Sequence, residues 1–129
     1  MQRPINDVSA AVVGEAIRIH KELGPGLLES VYETVLAAAL ERSGWAVARQ
    51  VPIDINYNGM SFAGAFRLDL LVDERLIVEI KSVERLTKAH AKQVLTYLRL
   101  THQPVGLLLN FSEATMKDGI RRLVNDFAE

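Results

Sequence analysis

Two stretches decide the fold: Phe66-Arg67-Leu68-Asp69-Leu70-Leu71-Val72 and Leu76-Ile77-Val78-Glu79-Ile80-Lys81, separated by Asp73-Glu74-Arg75. Both are apolar enough to lie as strands inside a sheet covered on both faces. The polar triplet between them reads as a hairpin loop. If that loop has three residues, Val72 lies opposite Leu76, and the same register sets Asp69 directly across from Glu79. Strand side chains alternate between faces. Arg67, Asp69 and Leu71 are therefore expected on one face, and Ile77, Glu79 and Lys81 on one face of the next strand.

Directly opposed residues have Cβ atoms about 5 Å apart. Two carboxylates that close in an apolar setting repel each other unless a cation or a shared proton compensates. Mg²⁺ or Mn²⁺ meets that need, because hard cations prefer carboxylate oxygen. Lys81 is placed to steady an attacking hydroxide or the charge developing on phosphorus. The plain alternative is a structural one. Glu79 and Lys81 would form an ordinary strand-face ion pair, and Asp69 would cap the strand or pair with Arg67. The residues alone leave both readings open.

Outward from the hairpin, apolar spacing gives the remaining elements. Val8, Val12, Val13, Ala16, Ile17 and Leu23 form a helical stripe that Asn6 or Asp7 would cap and Gly24-Pro25-Gly26 would stop. A second helix is expected over residues 27–42, with Gly44 after its end. Val47, Val51, Ile53 and Ile55 fall at strand spacing, and Asn58-Gly59 is a tight-turn signal. A third helix, capped by Thr87 or Ser82, should span residues 88–100. Val105-Gly106-Leu107-Leu108-Leu109 reads as a short buried strand, and residues 117–127 as a last helix. The expected order is α-α-β-β-β-α-β-α, a single α/β domain over residues 1–129 with a central mixed sheet flanked by helices.

The 129 residues suffice for a hydrophobic core. No cysteine is present, which excludes disulfides, thiolate metal sites and a cysteine nucleophile. No apolar run reaches the roughly 18 residues of a membrane span, and Met1-Gln2-Arg3-Pro4 does not begin a signal peptide, so a cytoplasmic protein is expected. The net charge of −1 is not that of a protein holding nucleic acid by bulk phosphate neutralisation. Grip through a metal and a few local cations remains compatible with it.

Asp69 followed by Glu79-Ile80-Lys81 resembles the D…(D/E)xK signature of the PD-(D/E)XK nuclease superfamily. Gly26-Leu27-Leu28-Glu29-Ser30-Val31-Tyr32 reads as G-x-x-E-x-x-Y and is similar to the name-giving motif of the GxxExxY family within it. Further blocks, Gln93-Val94-Leu95-Thr96-Tyr97-Leu98 and Gly106-Leu107-Leu108-Leu109-Asn110-Phe111, extend the likeness over nearly the whole chain. The resemblance implies a restriction-endonuclease-like core and Mg²⁺- or Mn²⁺-dependent hydrolysis of nucleic-acid phosphodiesters. It implies Asp69, Glu79 and the helical acid Glu29 as metal ligands and Lys81 as the group assisting the attacking water. Gln93 and Tyr97 would stand beside the site. One departure is Leu68, where the signature has proline before the aspartate.

The supporting residues carry plainer readings as well. Glu29 and Tyr32 share a helical face, as a solvated acid and a half-buried ring or as a ligand and its support. Gln93, Tyr97 and His90 form a polar stripe that is either a wet helix face or a substrate face. His20 sits where a helix dipole favours it, or contacts a phosphate. Arg67 either pairs with Asp69 or reaches a phosphate. Arg121-Arg122 read as a solvated face and Trp45 as core or sheet edge. The expected function is a metal-dependent nuclease or phosphodiesterase acting on nucleic acid, with DNA as the expected substrate, no membrane partner and a homodimer compatible with it. The alternatives are a weakly active or inactive module of this fold that binds nucleic acid or a protein, and hydrolysis of a small phosphate ester.

Overall fold

The hairpin expected around residues 73–75 is present in the computed structural model, which describes residues 3–126. Val72 pairs with Leu76, Leu71 with Ile77 and Leu70 with Val78. Asp73 and Glu74 both take left-handed backbone angles, and the Arg75 N–H closes the loop onto the Val72 carbonyl at 3.1 Å. The elements are α1 (Ile5–Leu23), α2 (Glu29–Arg42), β1 (Val47–Tyr57), β2 (Met60–Val72), β3 (Leu76–Lys81), α3 (Lys88–Thr101), β4 (Val105–Asn110), a single 3₁₀ turn (Lys117–Gly119) and β5 (Ile120–Val124).

The five strands form one mixed sheet in the order β1-β2-β3-β4-β5. Only the β3–β4 pair is parallel, because α3 carries the chain across between them. α1 and α2 cover one face through Val8, Val12, Ala16, Ile19, Tyr32, Leu36 and Leu40, packed on Leu70, Val72, Val78, Leu107 and Leu109. α3 covers the other with Val94 and Leu98 on Leu68, Ile77 and Leu108. Burial on both faces is why β3 and β4 are apolar without alternation. α3 lies very close to β4 at Gly106, where a Cβ would come within 2.9 Å of Val94 Cγ1.

Thr87 caps α3, with the reciprocal His90 contact completing a capping box. α1 begins at Ile5 behind Pro4, so Asn6 and Asp7 lie inside its first turn rather than capping it. Proline can occupy that boundary because the first N–H groups of a helix lack partners anyway.

The expected last helix is not there. Residues 120–124 form β5, antiparallel to β4, with Leu109 opposite Ile120 and Gly106 opposite Leu123; Phe127 lies outside the described residues. Ile120, Leu123 and Val124 have helical spacing, but Ile120 packs with the α1–α2 core and Leu123 with the α3 core. Residues three apart reach opposite faces only in a strand. Arg121 and Arg122 are exposed, on this strand rather than a helix.

Candidate active site

The β2–β3 ladder ends at Leu70 and Val78, one pair before Asp69 and Glu79. Here side chains replace the ladder. The Asp69 N–H donates to Glu79 Oε1 at 3.1 Å, and the Ile80 N–H donates to Asp69 Oδ2 at 2.9 Å. On its other side, β2 pairs with β1 at Arg49–Leu70 and Val51–Leu68, leaving Gln50 and Asp69 unpaired between them. The alternation of β2 slips at this point. Leu68 packs toward α3, Leu70 toward α1 and α2, and Leu71 toward α3 again. The expected single face of Arg67, Asp69 and Leu71 is therefore broken, and Asp69 sits at the kink.

An open cleft of about 630 Å³ lies over this break. Asp69, Glu79, Lys81, Glu29, Arg67, Gln93 and Tyr97 all line it. Glu79 is 4% exposed, and burial first, then the charge of Asp69, push its carboxyl up to about 8. Lys81 acts in the opposite direction, and among the described residues its ammonium enters no hydrogen bond or ion pair. The ordinary Glu79–Lys81 ion pair is thus not formed, nor is an Asp69–Arg67 pair. Tyr97 lies flat against Phe66, ring centroids 4.3 Å apart. Burial, then the Glu79 and Asp69 charges, push its phenol above the ordinary value.

Glu29 is the first residue of α2, and its Oε2 accepts from the Ser82 N–H at 3.4 Å, just beyond β3. Ser82 Oγ donates to the Leu27 carbonyl at 2.6 Å, tying this loop to the strand end. Tyr32 holds the same loop from below. Its hydroxyl donates to the Gly24 carbonyl at 2.6 Å and accepts from the Leu27 N–H at 3.1 Å, while its ring stacks on Phe111. The tyrosine of the G-x-x-E-x-x-Y pattern therefore shapes the loop that presents Glu29. Gly26, at φ +99°, supplies the turn. Fully buried Asn110 fixes the segment after β3, donating to the Val83 carbonyl and accepting from the Val83 N–H.

The other candidates fall elsewhere. His20 is buried, with Nε2 2.8 Å from the Glu113 carbonyl, and does not line the cleft, which makes it a structural histidine. His90 is occupied in the α3 cap. Trp45 packs half-buried against the larger core under the Arg3 guanidinium.

Glu33, Arg49 and Gln50 also line the cleft and were not singled out by the sequence. Glu33 is 6% exposed, accepts from Arg49 at 3.0 Å, and carries no local motif that marks it. Its only outward signal is a second acid one turn after Glu29.

Asp69 and Glu79 are the paired oxygen donors of the cleft, with Glu29 on its wall. Among the described residues no three acids or histidines stand close enough to hold an ion by themselves. A divalent cation fits the pair, since its charge would offset both the burial and the Asp69 repulsion that raise the Glu79 carboxyl. Water and substrate oxygens would complete its shell, as hard cations commonly require.

A family model of the PD-(D/E)XK nuclease superfamily matches residues 6–123. The chain belongs to the PD-(D/E)XK nuclease superfamily. The match spans every element from α1 to β5, and the mixed sheet with flanking helices is the restriction-endonuclease-like architecture of that superfamily. Its members are in general hydrolytic nucleases that typically use Mg²⁺ or Mn²⁺. No curated protein and no solved structure matches the chain significantly. Among the described residues no helix is long and apolar enough to cross a membrane.

Proposed function

We propose that this PD-(D/E)XK domain is a metal-dependent nuclease of the GxxExxY branch that hydrolyses nucleic-acid phosphodiester bonds, with DNA as its first expected substrate. The observation that carries the reading is the pair Asp69–Glu79, set at a break in two strand ladders and open to a cleft that also holds Lys81. A structural ion pair would have consumed Lys81. Among the described residues the lysine enters no ion pair, while burial and the Asp69 charge push the Glu79 carboxyl up to about 8, the kind of perturbation that clusters at functional sites.

Asp69 and Glu79 would hold Mg²⁺ or Mn²⁺, with Glu29 reaching the cation directly or through water. When bound, the ion would supply Lewis acidity and lower the pKa of water. Lys81, half-buried at the end of β3, holds a positive charge where the attacking oxygen and the pentavalent phosphorus become most negative. Gln93 presents an amide from α3, which orients water or a phosphate oxygen. Arg67 is exposed on the rim and pairs with a flanking phosphate. The open mouth of the cleft suits a polymer passing across it rather than a small ester enclosed within it.

The test is cleavage of single- and double-stranded DNA and RNA of mixed sequence with Mg²⁺ or Mn²⁺, by the native chain and by Asp69→Asn and Lys81→Ala. Cleavage by the native chain alone, abolished by chelator, supports the reading. Equal cleavage by all three proteins would assign it to a contaminant and overturn the reading.

A further inference from the structure

Gln50 stands in the middle of β1 with φ +50°, a left-handed angle that glutamine rarely adopts. The other left-handed non-glycine residues described are Asn58, Asp73, Glu74 and His102, all in hairpin turns or at a helix end. Gln50 has no turn to explain it. It lies instead at the ladder position facing Asp69.

Its side chain gives the reason. Nε2 donates to Glu33 Oε1 at 2.6 Å and reaches Asp69 Oδ1 at 3.4 Å. Both partners are carboxylates, which only accept when ionised, so the amide must turn its NH₂ toward them. Glu33 is anchored in turn, its Oε2 accepting from Arg49 Nε at 3.2 Å and Nη2 at 3.0 Å. Arg49 Nη2 also donates to Thr34 Oγ1 at 2.8 Å. With Oδ2 held by the Ile80 N–H, Asp69 is gripped at both oxygens.

We infer that Gln50 is a positioning residue for the Asp69 carboxylate, held in a strained backbone by buried Glu33, which exposed Arg49 anchors in turn. Arg49 offsets the charge of Glu33, so the cleft gains an anchor for the amide without another free anion. The strain at φ +50° persists because the anchor over-determines it, a pattern that clusters at functional sites. The consequence for metal binding rests on the proposed function; the contact itself does not.

Two measurements separate these. In the metal-free protein the Gln50 side-chain amide resonances are expected away from those of free glutamines, and to move in both Asp69→Asn and Glu33→Gln. Resonances unmoved in both variants overturn the inference. The second measurement compares Mn²⁺ binding and thermal unfolding of native protein and Gln50→Gly. Glycine relieves the left-handed backbone, so the unfolding temperature should hold or rise. The Mn²⁺ affinity should fall by about tenfold or more, the usual cost of losing a ligand's supporting contact. Unchanged affinity in Gln50→Gly overturns the inference as well. If the native chain binds no Mn²⁺, the proposed function fails and the resonance measurement alone decides the role of Gln50.

Discussion

Glu79 shows how far one residue reports on its surroundings. Its carboxyl is pushed up from 4.5 to about 8, chiefly by burial and then by the Asp69 charge. The folded chain therefore holds this proton more tightly than the unfolded chain does. The resulting stability is complete below about 4.5 and is lost as pH rises toward and through about 8. The metal-free protein should melt at progressively lower temperature across that window, and Glu79→Gln should flatten the slope. Thermal melts at a series of pH values check this, and an unchanged slope in the variant would contradict it. Mg²⁺ should stabilise the native protein more above pH 8 than near neutrality, because the cation competes with that proton. For Lys81, replacement by alanine should lower turnover about 10²- to 10³-fold with little change in KM, since its charge is needed mainly as the transition state forms. Single-turnover kinetics would show whether the loss lies instead in substrate affinity.

At the scale of elements, most of the fold is legible in the sequence because hydrophobic period and turn chemistry agree. The hairpin register follows from a three-residue loop, and it holds to the last ladder pair before Asp69. What escapes is the break itself. The left-handed Gln50 is tied to Glu33 on α2, and Leu68 and Leu70 pack into different cores, long-range relations that no local pattern encodes. β5 escapes for a related reason. Its apolar residues have helical spacing, yet two helical layers and a free β4 edge give each residue a partner only as a strand. Glu33 is not legible in the sequence because a buried acid is marked by its partner, and Arg49 lies on another element. Two substitutions test the packing that presents the site. Tyr32→Phe removes both hydrogen bonds that pin the loop before Glu29 and should cost about 1–3 kcal/mol. Gly106→Ala forces a methyl against Val94 and should cost a similar ~1–3 kcal/mol. Denaturant unfolding measures both, and a loss below 0.5 kcal/mol, small against these estimates, would contradict the role given to either residue.

For the whole molecule, the family match over residues 6–123 and the mixed five-stranded sheet agree with the expected architecture. The charge balance sets how such a domain can hold nucleic acid. With a net charge of −1 and Arg49 already committed to Glu33, Arg67 and Lys81 are the cleft cations that form no ion pair among the described residues. Binding of oligonucleotides should therefore weaken only gently with salt, with log K falling about 2 per tenfold increase, as roughly two phosphate contacts require. A titration across salt concentrations measures this, and a steep slope would place a further basic surface outside the cleft.

The most direct test of the central claim is calorimetric titration of Mn²⁺ and Mg²⁺ into the native chain and into Glu79→Ala, with and without a nucleic-acid substrate analogue. The account predicts binding to the native protein at micromolar to millimolar affinity and its loss in the variant. A folded native protein that takes up neither ion, even with the analogue present, would contradict it.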